Sequence, residues 1–419
     1  MHGLNKKRSA YAGRFCVDWI IIMLHKDPWL LPDGVEEILP EDAKYLEILR
    51  RQLLDVFECW GYEKVVPPFI DYLDSLLTGS GHDLNLQTFK LTDQLSGEML
   101  GIRADITPQV ARIDAHSLSH QQVSRLCYEG TTLHTRGEAL DKTRIPMQIG
   151  AELFGHAEID SDTEVIQLML EVLAMAGLKN VHLDLGHVGI YRGLVAQANL
   201  TQQQELELFE VLQRKSNCEL AELLGSYAVA DELQAIFLSL PKLNGDKSVL
   251  AKARTVFATA DASVNNALMQ LEELADILHS YYPELTISFD LAELRGYHYH
   301  TGMVFAAFVA EVGKEIARGG RYDNIGQIFG NARPATGFSA DLKVLAALTK
   351  KDQPATDTIK IFAPFALGDR TLDEKVRDLR ATGNIVIKQL SGQQSNAEHL
   401  ACNQILKKID ENWVLVPLN

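Results

Sequence analysis

Two nearby segments hold the residues best suited to chemistry. Leu294-Arg295-Gly296-Tyr297-His298-Tyr299-His300-Thr301-Gly302 brings an arginine and alternating aromatics, and Arg318-Gly319-Gly320-Arg321-Tyr322-Asp323 follows shortly after. A guanidinium can clamp an α-carboxylate bidentately. Aromatic rings can wall a small side chain, and a Gly-Gly turn lets backbone approach a ligand closely. These are the parts of a small amino-acid pocket on a sheet. In a regular strand, Tyr297 and Tyr299 face one way and His298 and His300 the other. Which pair faces the pocket depends on whether Arg295 lies in the strand or in its lead-in turn. Read alone, Arg318 to Asp323 is a tight surface turn.

Two further segments fit such a pocket. Arg103-Ala104-Asp105-Ile106-Thr107-Pro108-Gln109 ends a strand and starts a helix. Thr107 can cap that helix and Pro108 suits its first turn. Asp105 and Thr107 can also bind an ammonium, one supplying charge and the other an acceptor oxygen. In Gln148-Ile149-Gly150-Ala151-Glu152, strand alternation puts Gln148, Gly150 and Glu152 on one face. A Gln and a Glu on a dry face need partners; an ammonium for Gln148 and an imidazole N–H for Glu152 would serve.

The elements that position these residues read as an α+β chain. Residues 41–59 have helical apolar spacing (Leu46, Leu49, Leu53, Phe57). Residues 62–69 predict a strand broken by Pro67-Pro68, and 87–93 with 97–103 a hairpin about Ser96-Gly97. Two more strands fall at 123–135 and 145–155, a helix at 160–178 and a strand at 182–185. From about 189 to 283 the pattern is helical, an insertion between sheet segments. Strands resume at 285–291 and 299–310, and a helix at about 339–350 closes the unit. Such an order builds an antiparallel sheet flanked by helices, not a βαβ repeat. After a polar linker at 351–356, residues 357–419 read as a small βαβαβ domain, with helices near 370–381 and 396–409.

Composition narrows the function classes. With 56 acidic residues against 40 basic, the net charge is −16, which repels polyphosphate backbones and argues against general nucleic-acid binding. Five scattered cysteines form no CxxC pair, and the 13 histidines show no metal-ligand spacing, so no metal and no cofactor is expected. Residues 1–27 read as an extension, with Met23 a natural start. The apolar run 17–24 is too short to span a bilayer and lacks a cleavage site. A cytoplasmic protein is expected.

The Arg295 and Arg318 segments resemble the two histidine-specific signatures of histidyl-tRNA synthetase, and Gly61-Tyr62 through Val65-Val66-Pro67-Pro68 resembles motif 1 of class II aminoacyl-tRNA synthetases. The resemblance covers about residues 28–348. It implies a class II synthetase-like fold, a homodimer built on motif 1, and a histidine site made by Asp105, Thr107, Gln148, Glu152, Arg295, Tyr299 and His300. Either Glu152 or His300 could read the imidazole.

The nucleotide half departs from that family. Its motif 2 begins Phe-Arg-x-Glu, where this chain has Leu133-His134-Thr135-Arg136; its motif 3 ends Gly-Leu-Glu-Arg, where this chain ends on Lys343-Val344. Both phosphate-gripping arginines are thus replaced, at positions 134 and 344, and their electrostatic stabilisation goes with them. A histidine pocket, a degenerate ATP site (His134, Arg136, Lys343, Val344) and a short C-terminal domain resemble the regulatory subunits of ATP phosphoribosyltransferase. That resemblance implies a non-catalytic chain of histidine biosynthesis. It would join the short catalytic transferase in a hetero-oligomer, activate it, and use L-histidine as an allosteric inhibitor. The alternatives are a divergent histidyl-tRNA synthetase and a synthetase-like scaffold without histidine sensing.

Overall fold

A computed structural model describes residues 29–77, 82–118, 122–137, 143–294, 296–297, 299–325, 330, 332–349 and 359–418. The proposed extension 1–27 and Arg295 lie outside the described residues. The chain divides into two compact units, residues 1–351 and 352–419.

The larger unit is built on strands β1 (Glu63–Lys64), β2 (Ile70–Tyr72), β3 (Phe89–Thr92), β4 (Met99–Ile102), β5 (Ser124–Thr131), β6 (Met147–Phe154), β7 (His182–His187), β8 (Asn244–Gly245), β9 (Thr286–Asp290), β10 (Met303–Phe308), β11 (Ala317–Arg321) and β12 (Ala335–Asp341). Nine of these form one sheet in the order β1-β5-β6-β12-β11-β10-β7-β9-β8, and β2-β4-β3 form a separate small one. The large sheet is antiparallel except where β1 meets β5 and β7 meets β9.

Strand alternation decides which side chains meet the helices. On β6, Ile149, Ala151 and Leu153 are buried against the helices Pro40–Cys59 and Ile159–Met175, leaving Gln148, Gly150 and Glu152 on the opposite face. The helix Pro40–Cys59 buries Leu46, Leu49, Leu53, Val56 and Phe57, each worth about 1.5–3 kcal/mol when fully covered. Phe57 meets Phe338 of β12 edge-on at 6.1 Å. Helices from Val188–Gln197 to Ala262–Tyr281 make up the insertion, interrupted only by a short 3₁₀ turn and the two-residue β8.

Several expectations change. The strand expected over 62–69 shrinks to β1, because Pro67-Pro68 cannot extend a ladder and the chain restarts as β2 in the other sheet. The segment Arg318 to Asp323 is no surface turn: residues 318–321 lie in β11, mid-sheet. Gly319 is required there because a Cβ would meet the Gly337 carbonyl at 2.2 Å and the Phe305 ring at 2.6 Å. The strand expected from 299 starts at Met303, so residues 299–302 precede the ladder and strict alternation does not govern the tyrosines.

The smaller unit holds β13 (Lys360–Ala363), β14 (Ile385–Lys388), β15 (Gln404–Ile409) and β16 (Asn412–Pro417) in the order β14-β13-β15-β16. The helix Arg370–Ala381 forms, with Asp369 capping it by accepting from Leu372 N–H at 3.1 Å. The helix expected near 396–409 does not: residues 404–409 are a strand paired with β16. The two residues between them, Asp410 and Glu411, both have positive φ (44° and 67°), as a tight hairpin turn of the primed type requires. Without a glycine there, that turn has no sequence signature.

Candidate functional site

One cavity of about 560 Å³ lies over the open face of the large sheet. Asp105, Thr107, Gln148, Glu152, Tyr299 and His300 all line it, as do Gly296, Tyr322 and Gly337. Six of the seven residues expected to make an amino-acid site therefore share one wall system; the seventh, Arg295, is outside the described residues.

Glu152 is its most buried acidic side chain, 1% exposed. Tyr128 on β5 donates to its Oε1 at 3.0 Å, and Tyr322, just past β11, donates to Oε2. Among the described residues no lysine or arginine bonds to it. Burial pushes the carboxyl up to about 8, against the pull of the tyrosine bonds from Tyr322 and Tyr128. Glycine makes the space: a Cβ on Gly337, directly opposite Glu152 in the β6–β12 register, would fall 1.6 Å from Oε2. A Cβ on Gly150 would meet the Tyr128 hydroxyl at 2.6 Å.

At the Asp105 end, Gln148 Nε2 donates to Asp105 Oδ1 at 2.8 Å while Gln148 Oε1 accepts from Ile106 N–H at 2.9 Å. Both halves of this amide are committed to the 105–106 corner, so Gln148 orients Asp105. Thr107 does not cap the helix Thr107–Arg112. Asp105 Oδ1 instead accepts the Thr107 N–H at 3.1 Å, and the Thr107 hydroxyl is 3.0 Å from that of Tyr128.

At the aromatic end the two tyrosines part company. Tyr299 packs on Tyr322 with ring centroids 4.8 Å apart, and its buried hydroxyl meets no hydrogen-bond partner among the described residues. Tyr297 packs into the helical insertion, stacked on Phe209 at 5.3 Å and edge-on to Tyr191 at 5.1 Å, with its hydroxyl on Glu205. His300 fits over two glycines: a Cβ on Gly296 or Gly320 would lie 2.6 Å or 2.8 Å from its ring.

Sequence reasoning missed Tyr128 and the role of Tyr322. The usable signal for Tyr128 was a tyrosine facing a glycine, since Tyr128 pairs with Gly150 two positions from Glu152. Arg321 proves structural: it is buried and bonds Asp162 Oδ2 at 2.9 Å and Ser161 Oγ at 2.7 Å, anchoring β11 to the helix Ile159–Met175.

Comparison with known proteins places this architecture. A family model described as histidyl-tRNA synthetase matches residues 34–345, and one described as the ATP phosphoribosyltransferase subunit HisZ C-terminal domain matches residues 358–416. Proteins named ATP phosphoribosyltransferase regulatory subunit from Methylococcus capsulatus and Alkalilimnicola ehrlichii are each 53% identical, over 94% and 93% of this chain and 97% of theirs. The chain belongs to the ATP phosphoribosyltransferase regulatory subunit family. A solved structure titled as an ATP phosphoribosyltransferase regulatory subunit/histidyl-tRNA synthetase from Bacillus halodurans superposes with TM-score 0.77 at 26% identity, covering 90% of this chain and 97% of that one. The histidyl-tRNA synthetase of Nostoc sp. PCC 7120 shares the fold at TM-score 0.71 and 19% identity, covering 94% and 97%.

In this regulatory subunit the four positions that depart from synthetase motifs diverge in space. His134 and Val344 line the cavity, and His134 Nε2 lies 2.9 Å from the Ala104 carbonyl. Arg136 is exposed and does not line it. Lys343 turns to Glu36 at 3.2 Å. Among the described residues the lysine and arginine that do line the cavity are Lys314 and Arg318, and Arg318 pairs with Glu315 at 3.2 Å. No helix among the described residues is long and apolar enough to cross a membrane.

Proposed function

We propose that this chain activates a short-form catalytic ATP phosphoribosyltransferase and makes it sensitive to L-histidine, which binds in the Glu152 cavity. The observation that carries this reading is Glu152 itself: a buried carboxyl on a cavity wall, held by two tyrosines, with aromatic surface from Tyr299 and His300 beside it. An imidazole offers the flat ring and the N–H that such a wall can use. Asp105 and Thr107 take the ammonium, Gln148 steadies Asp105, and Arg295 takes the α-carboxylate.

Inhibition requires histidine to prefer the less active assembly. Linkage then makes the ligands of the active state weaken histidine binding by the same factor, typically ~1–3 kcal/mol. In this reading residues 28–350 form the synthetase-like core and 357–419 a separate small domain. A homodimer built on the segment 61–68 is the building block of a hetero-oligomer in the cytoplasm.

The test is phosphoribosyl-ATP formation by the catalytic subunit with and without this chain, then with histidine added. Stimulation that histidine reverses is the expected result. Arg295→Ala should abolish the histidine response and leave stimulation largely intact; unchanged histidine sensitivity in that variant would remove Arg295 from the pocket.

A further inference from the structure

The reading of the cavity as a histidine site leaves open how a carboxyl with no cationic partner among the described residues sits so deep in the protein. Among the described residues the groups that face Glu152 come from four elements: Tyr128 from β5, Tyr322 from the end of β11, Tyr299 with His300 from the turn before β10, and Asp105 with Thr107 from the start of the helix Thr107–Arg112. Tyr62 feels its charge from further off, with its own hydroxyl on Glu164. Asp105 is the acid among them, and its charge raises rather than lowers the cost of ionising Glu152. An ionised Glu152 would be desolvated and repelled together.

The hydroxyl chain around it accommodates a proton without moving a heavy atom. Thr107 Oγ and Tyr128 Oη are 3.0 Å apart and either can donate. With Glu152 ionised, Tyr128 donates to Oε1. With Glu152 protonated there, the carboxyl donates to Tyr128, which turns its own hydrogen to Thr107. Tyr322 donates to Oε2 in both states. Both arrangements give the two Glu152 oxygens and the Tyr128 and Tyr322 hydroxyls a partner, which buried polar groups demand.

We propose that Glu152 and the imidazole of bound histidine share a single proton, which the free protein already carries on the Glu152 carboxyl. On binding, one ring nitrogen enters the hydrogen bond to Glu152, and the proton either stays on the carboxyl oxygen or crosses to that nitrogen, giving an imidazolium–carboxylate pair. The proton count is the same in both cases. At neutral pH a neutral ligand therefore enters without drawing a proton from water, and Glu152 itself is never left as an uncompensated carboxylate. The carboxyl's upward shift to about 8 agrees with this geometry.

The inference rests on the histidine reading, and the experiment separates the two. The full chain is titrated calorimetrically with L-histidine at pH 7.0 in two buffers of different ionisation enthalpy, and infrared difference spectra compare it with Glu152→Gln. Expected are a protonated-carboxyl C=O band present in the parent and missing from the variant, and net exchange of fewer than ~0.3 protons per histidine bound, given an imidazole value of about 6.5. Uptake of ~0.8 proton would mean that Glu152 is ionised beforehand, and release of about one that the complex holds no proton; either overturns the shared proton while leaving the histidine site standing. A missing band does the same. Should Glu152→Gln fail to fold, the parent chain decides alone: the protonated-carboxyl band must be present before histidine is added and must shift or vanish on binding, with net proton exchange below ~0.3. No histidine binding at all overturns the site reading and the shared proton with it.

Discussion

Gln148 holds Asp105 by a 2.8 Å hydrogen bond from Nε2 to Oδ1, and in the same grip its Oε1 receives the Ile106 N–H at 2.9 Å. One amide thereby ties the centre of the sheet to the corner that opens the helix Thr107–Arg112. Gln148→Leu keeps the side chain's bulk and removes both bonds. Each stranded partner costs about 1–3 kcal/mol where water cannot reach it, and Asp105 is only half-buried. The expected result is a 10- to 100-fold loss of histidine affinity by calorimetry with a folded circular dichroism spectrum. An unchanged affinity would show that Asp105 needs no such support.

The geometry of β11 gives a second prediction. Gly319→Ala places a methyl against the buried Phe305 ring and against the Gly337 carbonyl, and that carbonyl cannot retreat without disturbing the β11–β12 register. Overpacking of this kind costs about 1–3 kcal/mol, read as a lower urea midpoint. Gly313, which has nothing within 4 Å of a built Cβ, is the control and should tolerate alanine.

These two sites show what the sequence could and could not reveal. The alternation of 148–152 was enough to aim Gln148 and Glu152 at one face, because a slip of one residue would have put Ile149 and Ala151 into the cavity. The partners of Glu152 were not legible. Tyr128 meets it only through the β5–β6 register, which the intervening loop does not specify, and Tyr322 only because Gly319 and Gly320 lie in a central strand. Read locally, Gly-Gly next to Arg-Tyr-Asp favours a turn; the crowding by Phe305 and His300 that makes glycine obligatory comes from residues distant in sequence or on another strand. The C-terminal hairpin escaped for the opposite reason, since Asp410-Glu411 adopts a turn its residue types do not advertise.

Glu152 also makes a statement about stability against pH. Its folded value is raised to about 8 from an ordinary value near 4.5. The folded state therefore binds more protons than the unfolded chain in that window, and the contribution of this group, fully present below about 4.5, is lost as pH rises toward 8. Glu152→Gln lacks a titrating group. Its thermal midpoint should rise relative to the parent between pH 5.5 and pH 8, whatever its absolute offset. A difference that stays constant with pH would mean that Glu152 titrates normally.

The positions read from the sequence as a degenerate ATP site yield a negative prediction. With His134 and Val344 on the wall, Arg136 exposed and Lys343 held by Glu36, neither position at which the synthetase motifs carry a phosphate-gripping arginine has one here to steady a developing charge. Histidine-dependent exchange between ATP and pyrophosphate should be undetectable in the purified chain. Measurable exchange would revive the synthetase alternative and require Arg318 or Lys314 to take over the phosphates.

Adjacent tyrosines with opposite commitments suggest how the insertion and the cavity communicate. Tyr299 lines the cavity and packs on Tyr322, while two residues earlier Tyr297 is buried among Tyr191, Phe209 and Glu205. Arg192 lies 5.0 Å from the Tyr297 ring centre and donates to the Tyr297 carbonyl at 2.8 Å. The turn carrying Tyr299 and His300 is thus pinned from behind by the insertion. Tyr297→Phe keeps the ring packing and deletes the Glu205 bond, worth about 1 kcal/mol. It should lower histidine affinity ~3- to 10-fold, because a loosened turn presents Tyr299 less often in the binding geometry. Tyr191→Phe is the matched control: its hydroxyl bonds the Glu205 carbonyl at 2.7 Å, in the same helical layer but not on the turn, so it should cost similar stability with no loss of affinity. Equal effects of the two variants on histidine binding would mean that the insertion stabilises the fold without positioning the turn.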